Sequence, residues 1–588
     1  MLSTASPRAP STPSVSVVDL RLSTNVATKL AVLTCAGLFN RDETVAGAAY
    51  TIGADGHVPN PGGGGNDLAW FNDTVGPLPA FTPVDAFLET CLSTVAKGYI
   101  KYNATENQLV LPNIITLAGV LDAVPLEAPP TVANVPLALD ASATFAGATS
   151  LSANKWVYDR YVNQTSGLAK LNPGFDVHGA HKLDPPLTQP PHVMLADYAV
   201  KERLFTLWLE QGCVPLTPQH AFMEKLVTAN PWPRPLVVYG YDDTLALAGD
   251  LFEAETDCTR QHNMGQVASL LSNLAFFSRE PAITAPLAQN PEPSTAPFNA
   301  STTYLTVVLG DGDNMAFIKG SRRDWFKQRA AKCAAPAAAA AAADGDASTA
   351  DDCFPLAWTM SPQTLHLAPA WLRWYFAGAA KTMRDWFVLP PSGDTYSYPS
   401  MMPDETRAAF VAATERDAAL LGANASVTWE FAGFWERAIK TYLPAYAARG
   451  VVRGFFAVNV PYMAPALAFA GHETYTIIGG GSEGSVEGAE DDDDEAKAEA
   501  EAEARGGGVV LFKPREWRGG RGGNKYELSA KDMAAEISGY KKGTVAHLYV
   551  TSDGGADLDL VYEMVQQLAP HVEVVTPNRL ISMALQRG

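Results

Sequence analysis

The sequence predicts an α/β protein, with a C-terminal (β/α) barrel-like domain preceded by smaller α/β N-terminal domains. Three observations carry this. Beyond residue 300, short apolar runs alternate with helical stretches to the end of the chain, the pattern of parallel strands joined by right-handed crossovers. Before residue 281 the same alternation recurs on a smaller scale, and the Pro-rich stretch "REPAITAPLAQNPEPSTAPFNAS" lies between the two. At 588 residues the chain is too long for one ordinary core, so several domains are expected.

The elements follow in order. An α/β domain spans 15–130. It begins with the strand "VSVVDL" and the helix "STNVATKLAVLTCAGLFNR", with Ser23 as N-cap. "VDAFLETCLSTVAKGYIKYN" is a helix running into a strand, and "NIITLAGVLDAVPL" a helix with a short apolar edge. Residues 131–195 read as loop-rich. A third segment, 196–281, opens with the amphipathic helix "VMLADYAVKERLFTLWLEQG" and holds the strand of "RPLVVYGYDD" and a helix over "QHNMGQVASLLSNLAFF". The linker is 282–300, and few contacts are expected to cross it. From 301 to 588 come the strands of "TTYLTVVLG", "PLAWTMSP", "WFVLPP", "ASVTWEF", "VVRGFFAVNV", "GGVVLFKPREW", "TVAHLYVTSD" and "VEVVTP", with helices between them. In such a fold the chemistry sits in loops at the C-terminal ends of the strands.

Two low-complexity insertions interrupt this domain, 334–352 (alanine-rich) and 481–508. Neither buries enough apolar surface to offset its chain entropy, so both are expected to be solvated loops. Between Glu483 and Arg505 there are 11 acidic and 2 basic residues, a large part of the net charge of −20. That charge argues against nucleic acid or an anionic membrane surface as partner. No apolar run approaches the roughly 20 residues of a membrane span. The first residues carry no apolar signal-like stretch, yet N-x-S/T sequons at Asn72, Asn103, Asn163, Asn299 and Asn424 lean towards the secretory pathway or the extracellular space. The six cysteines make no C-x-x-C pair, so neither a zinc site nor a thioredoxin-like motif is indicated. Cys333 and Cys353 flank the alanine run and are either a disulfide at its base or buried thiols. Neither a metal nor a cofactor is called for.

One loop stands out. "GDTYSYP", Gly393 to Pro399, resembles the signature of the GxGYxYP family, described as glycoside hydrolases, with Thr395 in place of the second glycine. "VVLGDGDNM", "AWTMSP", "CAGLFNRD", "LADYAVKERLF", "VYGYDD", "KPREW" and "VEVVTPNRLISM" resemble further landmarks of that family in the same order. The resemblance implies an α/β N-terminal region, a barrel-like C-terminal domain, hydrolase activity and a carbohydrate substrate.

The residues themselves are compatible with that chemistry. Glycoside hydrolysis needs two carboxyl groups flanking the scissile bond. The expected catalytic acids are Asp313 and Asp394, then Asp311 and Glu430, with Glu516 and Asp553 also at strand ends. Expected substrate-binding residues are Trp358, Tyr396, Tyr398, Arg515 and Trp517, with Trp429 as a further platform. All are expected to converge on one pocket. The alternatives are that the tyrosines of the loop only pack the barrel rim, and that the DGDN turn only caps the next helix. Two further functions fit the same residues: a non-catalytic carbohydrate-binding or surface protein, and a metal-dependent sugar-modifying enzyme using Asp311 and Asp313. His366 and His547 lack partners at metal-ligand spacing. "CAGLFNRD" reads as packing, with Arg41 pinning the C-terminus of its helix.

Overall fold

β-Branched runs at the N-terminus form β1 (Val15–Asp19) and β2 (Ala48–Ile52), paired in parallel. The helix between them, Val26–Arg41, is buried from Leu30 to Asn40, as an all-round apolar sequence requires. Its first turn is capped by Asn25, whose Oδ1 accepts the Thr28 amide at 3.2 Å, and not by Ser23. The disulfide Cys35–Cys91 ties it to the helix Val84–Thr94; closing a loop of that length contributes about 4 kcal/mol. Arg41 pairs with Asp122 and donates to the carbonyls of Gly119 and Lys201, each at 3.0 Å. It therefore pins two neighbouring helix ends rather than its own. The computed structural model describes residues 15–41, 47–54, 66–171, 173, 193–240, 264–268, 271–340, 353–430, 435–459, 474–479, 508–519, 527–551 and 558–587. Most of the alanine-rich insertion and nearly all of the acidic one fall outside them, as does Asp553.

Two more parallel sheets follow. β3 (Gly98–Lys101), β4 (Ala123–Leu126) and β5 (Leu137–Asp140) have the order β4-β3-β5. β6 (Leu168–Lys170), β7 (Phe205–Leu207), β8 (Leu236–Tyr239) and β9 (Met264–Gln266) have the order β7-β6-β8-β9. The stretch expected to be loop-rich thus contributes β5, β6 and the helix Ser150–Tyr161. That helix starts at a capping box between Thr149 and Ser152, a variant lacking the usual Glu or Gln. The expected helix over 193–212 is instead a short helix, Ala196–Glu202, running into β7, and the expected single helix near 261–277 is instead β9 and a short helix, Leu274–Phe277.

In the C-terminal half the strands are β10 (Thr303–Leu309), β11 (Leu356–Thr359), β12 (Asp385–Val388), β13 (Ala425–Glu430), β14 (Gly454–Asn459), β15 (Tyr475–Ile478), β16 (Val509–Phe512), β17 (Glu516–Trp517), β18 (Val545–Val550) and β19 (Val572–Val574). They form two sheets, β12-β11-β10-β18-β17, with β19 also on β10, and β13-β14-β16-β15. All ladders are parallel except β15 with β16. One isolated bridge, Leu389 with Ser426, joins the sheets on one side. On the other side the chain itself passes from β16 to β17. The strands follow one another in nearly the order a barrel predicts, but among the described residues the ladders do not close into one. Both discontinuities fall at prolines, Pro390–Pro391 after β12 and Pro514 between β16 and β17, which lack the amide a ladder needs.

Side chains alternate across these strands as period two requires. Leu305, Val307 and Leu309 face an outer core, whereas Tyr304 and Val308 face an inner one with Val427, Phe456, Phe512 and Tyr549. Leu580, Ile581 and Met583 of the last helix, Pro577–Arg587, pack into the inner core. The outer core is continuous with the N-terminal half. Trp70 stacks on Trp371 with centroids 5.1 Å apart, and the buried Lys319 and Asp67 pair at 2.7 Å. The Pro-rich segment is tied down as well: the Leu287 amide donates to Leu420 O at 2.7 Å and Gln289 Nε2 to Phe387 O at 3.1 Å. Cys333 and Cys353 form the disulfide that their position allowed. No helix of the described residues is long and apolar enough to cross a membrane.

Candidate active site

β10 delivers the turn Gly310–Asn314 at its C-terminal end. A Cβ on Gly310 would come within 2.4 Å of the Tyr549 ring, and one on Gly312 within 2.0 Å of Thr359 O. The two glycines let the turn lie directly on β18 and β11. Asp311 between them has φ of 61°, a region costly for a non-glycine residue and often found where function holds it. Its amide donates to Tyr549 Oη at 3.1 Å. Asn314, not an aspartate, caps the following helix, accepting the Ala316 amide at 3.0 Å. Beneath the turn the buried Arg322 donates to Leu309 O and Thr359 Oγ1, at 3.1 and 3.0 Å, with Asp311 and Asp313 acting on its charge. Gly312→Ala is expected to cost ~1–3 kcal/mol, because a backbone carbonyl blocks the new methyl; a urea unfolding curve would show it.

β17 brings a second carboxyl to this end. Glu516 is the ladder partner of Tyr549. Its Oε1 accepts Thr551 Oγ1 at 2.7 Å and Arg518 Nε at 3.1 Å. Its Oε2 is buried without a hydrogen-bond partner. Burial raises the Glu516 pKa, and the charge of Asp311 adds to the rise.

The Gly393–Pro399 loop faces two ways. Tyr396 and Tyr398 belong to the inner core, their hydroxyls 3.3 Å apart, with Trp429 against Tyr396 at 5.7 Å between ring centroids. Asp394 points instead towards a cleft of about 770 Å³ between the β6–β9 sheet and the helix Asp404–Leu421. Its Oδ1 accepts Gln363 Nε2 at 2.8 Å, and its carboxyl is hydrogen-bonded to Asp417. Burial, followed by Asp417, pushes its pKa up to about 8. Thr395 packs against β9, where a Cβ on Gly265 would come within 1.9 Å of its Oγ1. The glycine missing from the signature thus has a counterpart across the contact.

Glu430 occupies a third place. Ser400 Oγ and Tyr442 bond to its carboxyl, its Oε1 has no partner, and burial pushes its pKa up to about 8.

The structure therefore distributes the expected acids instead of gathering them. Asp311, Asp313 and Glu516 share one neighbourhood, whereas Asp394 and Glu430 each have their own. Three expected substrate-binding residues are turned away. Trp358 is buried in the outer core, its Nε1 donating to Asp385 at 2.8 Å. Trp517 faces the same layer, with its Nε1 on Leu528 O at 2.7 Å. Arg515 grips Glu536 with Nε and Nη2, both at 2.7 Å. Position at a strand end was legible in the sequence; the parity that sends alternate residues inward or outward was not. Asp417 carried no signal at all, being one more charge on an amphipathic helix. His547 is buried, contacts Ala457 O through Nε2 at 3.1 Å, and is pushed down to about 3 by burial. Among the described residues no three His, Cys, Asp or Glu side chains gather as metal ligands.

Residues 347–479 match the family model described as "GxGYxYP putative glycoside hydrolase C-terminal domain". Over this segment the chain is similar to the GxGYxYP family. The GxGYxYP match includes the Gly393–Pro399 loop, Asp417 and Glu430, and stops short of Asp311 and Glu516. Among solved structures the chain is similar to a "putative hydrolase from Bacteroides thetaiotaomicron VPI-5482", at 18% identity and a TM-score of 0.65, over 97% of this chain and 94% of that one. At that identity the likeness establishes a common fold across nearly the whole length. No curated protein matches.

Proposed function

We propose that this protein is a glycoside hydrolase whose carboxylate pair lies at the C-terminal ends of β10 and β17. Glu516 is the general acid, and Asp311, with Asp313 beside it, is the opposing nucleophile or base. One observation carries the reading: β10 and β17 both pair with β18 and deliver Asp311 and Glu516 to the same end of the sheet, within reach of each other's charge. A general acid working near neutral pH needs that elevation. Supporting it are the strained backbone at Asp311, the unpartnered Oε2 of Glu516, and the family match, which points to a carbohydrate substrate. A screen over a broad glycan panel with product analysis tests the proposal, and the anomer released tells retention from inversion. If no glycan is cleaved, or if Glu516→Gln cleaves as fast as the parent, the reading falls.

A further inference from the structure

The Gly393–Pro399 loop is held from several sides. The Asp394 amide donates to Thr414 Oγ1 at 3.1 Å, and Gln363 Nε2 reaches both its carbonyl and its side chain. Tyr396 exchanges two backbone hydrogen bonds with Gln266 of β9, at 3.0 and 3.1 Å. A further attachment is the hydrogen bond between the carboxyls of Asp394 and Asp417. Two carboxyls bond to each other only when one is protonated. Asp417 is engaged by Arg416 through Nε at 2.7 Å and Nη2 at 3.1 Å, which leaves Asp394 as the residue that carries the proton.

We propose that Asp394 and Asp417 form a proton-sharing clamp, two positioning residues that fix the signature loop on the helix Asp404–Leu421 and so hold Tyr396 and Tyr398 at the inner face of the strands. The clamp borders the cleft, so its proton can exchange with solvent. The groups around it favour the neutral form. Asp417 opposes ionisation of Asp394, and Arg416, which would favour it, donates to both oxygens of Asp417. His366 and Gln363 line the same wall. Tyr198, Glu202, Arg234 and Tyr239 face it across the cleft, and Tyr446 senses the Asp394 charge from the helix Leu443–Arg449. None of these supplies a spare cation at hydrogen-bonding distance of Asp394. Loss of the proton sets two carboxylates against each other and releases the loop.

The test is hydrogen exchange of the Asp394 and Tyr396 amides, expressed as protection factors between roughly pH 6 and pH 9. In the parent protein protection should fall at least tenfold through about pH 8, where Asp394 ionises. In Asp394→Asn the amide still accepts from Gln363 and donates to Asp417, so the fall should vanish. In Asp394→Ala protection should be low at every pH. A pH-independent parent, or an Asn variant that loses protection with the parent's midpoint, overturns the proposal. The loop's connection to catalysis rests on the hydrolase reading, but exchange needs no substrate, so failure of one is distinguishable from failure of the other. Given a cleaved glycan, the alkaline limb of kcat/KM should move upward in Asp394→Asn. Loss of activity at every pH would make Asp394 a catalytic group and overturn the positioning role.

Discussion

Replacing Glu516 by Gln is expected to lower glycan hydrolysis by ~10²-fold or more while leaving the fold intact. The amide keeps the shape and the acceptor that meets Thr551 and Arg518, and removes only the proton donor. Stability should not fall and should rise at pH values above the folded pKa of Glu516. The sign follows from linkage: the Glu516 pKa is higher in the folded chain than in the unfolded one. Its contribution is therefore whole below the unfolded pKa and is lost as pH rises through the folded one. Gln escapes that loss. Activity of the parent should decline as pH rises through the folded pKa, where the acid loses its proton. Asp311→Asn should cost a comparable factor in rate. Asp311→Gly should also be inactive, yet more stable by ~1 kcal/mol, because glycine adopts the positive φ without strain. Kinetics on the first glycan found to be cleaved, together with thermal unfolding at several pH values, would check all three variants. An active Asp311→Gly variant would remove the carboxylate pair from the mechanism.

Asp385→Ala should be the most destabilising change, by ~3–5 kcal/mol. Asp385 and Arg329 are both fully buried and pair at 2.5 Å. Arg329 also donates to Tyr562 Oη at 3.0 Å and Arg384 O at 3.2 Å, and Asp385 accepts Trp358 Nε1 at 2.8 Å. This network joins the helix Ser321–Ala340, β11, β12 and the helix Leu558–Gln566. Truncating one partner strands the other charge away from water, which costs more than the pair contributes. The double replacement Arg329→Met with Asp385→Leu should recover part of the loss, because no charge is left buried. Denaturant unfolding of the single and double variants measures the coupling. Equal destabilisation by the single and double changes would show that packing, not the orphaned charge, sets the cost.

The same network explains why Trp358 was misplaced by its sequence. "PLAWTMSP" correctly marks a strand, and a tryptophan near a strand end suits a sugar platform. One step of register decides whether it faces sugar or helix, and β11 pairs so that Trp358 falls on the outer side with Asp385. Trp517 is lost to the outer core in the same way, whereas Trp429 falls on the inner side.

What the sequence by itself determined is local. Apolar runs of period two, helical stretches ending at glycines such as Gly422, and prolines punctuating loops located most strands and helices of the C-terminal half. The Gly393–Pro399 signature marked the resemblance to the GxGYxYP family, and Gly310 and Gly312 marked a tight turn with acids at a strand end. Only the tertiary structure decided which acids share a place. Asp311 and Glu516 are 205 positions apart, and β18 alone, lying between β10 and β17, brings them to one end. Asp394 and Asp417 meet because the loop after β12 folds onto the helix Asp404–Leu421. The physical reason is that carboxyl pKa values, inward or outward parity and ladder closure depend on neighbours distant in sequence. Local propensity fixes the elements; burial and the side each strand presents fix their chemistry.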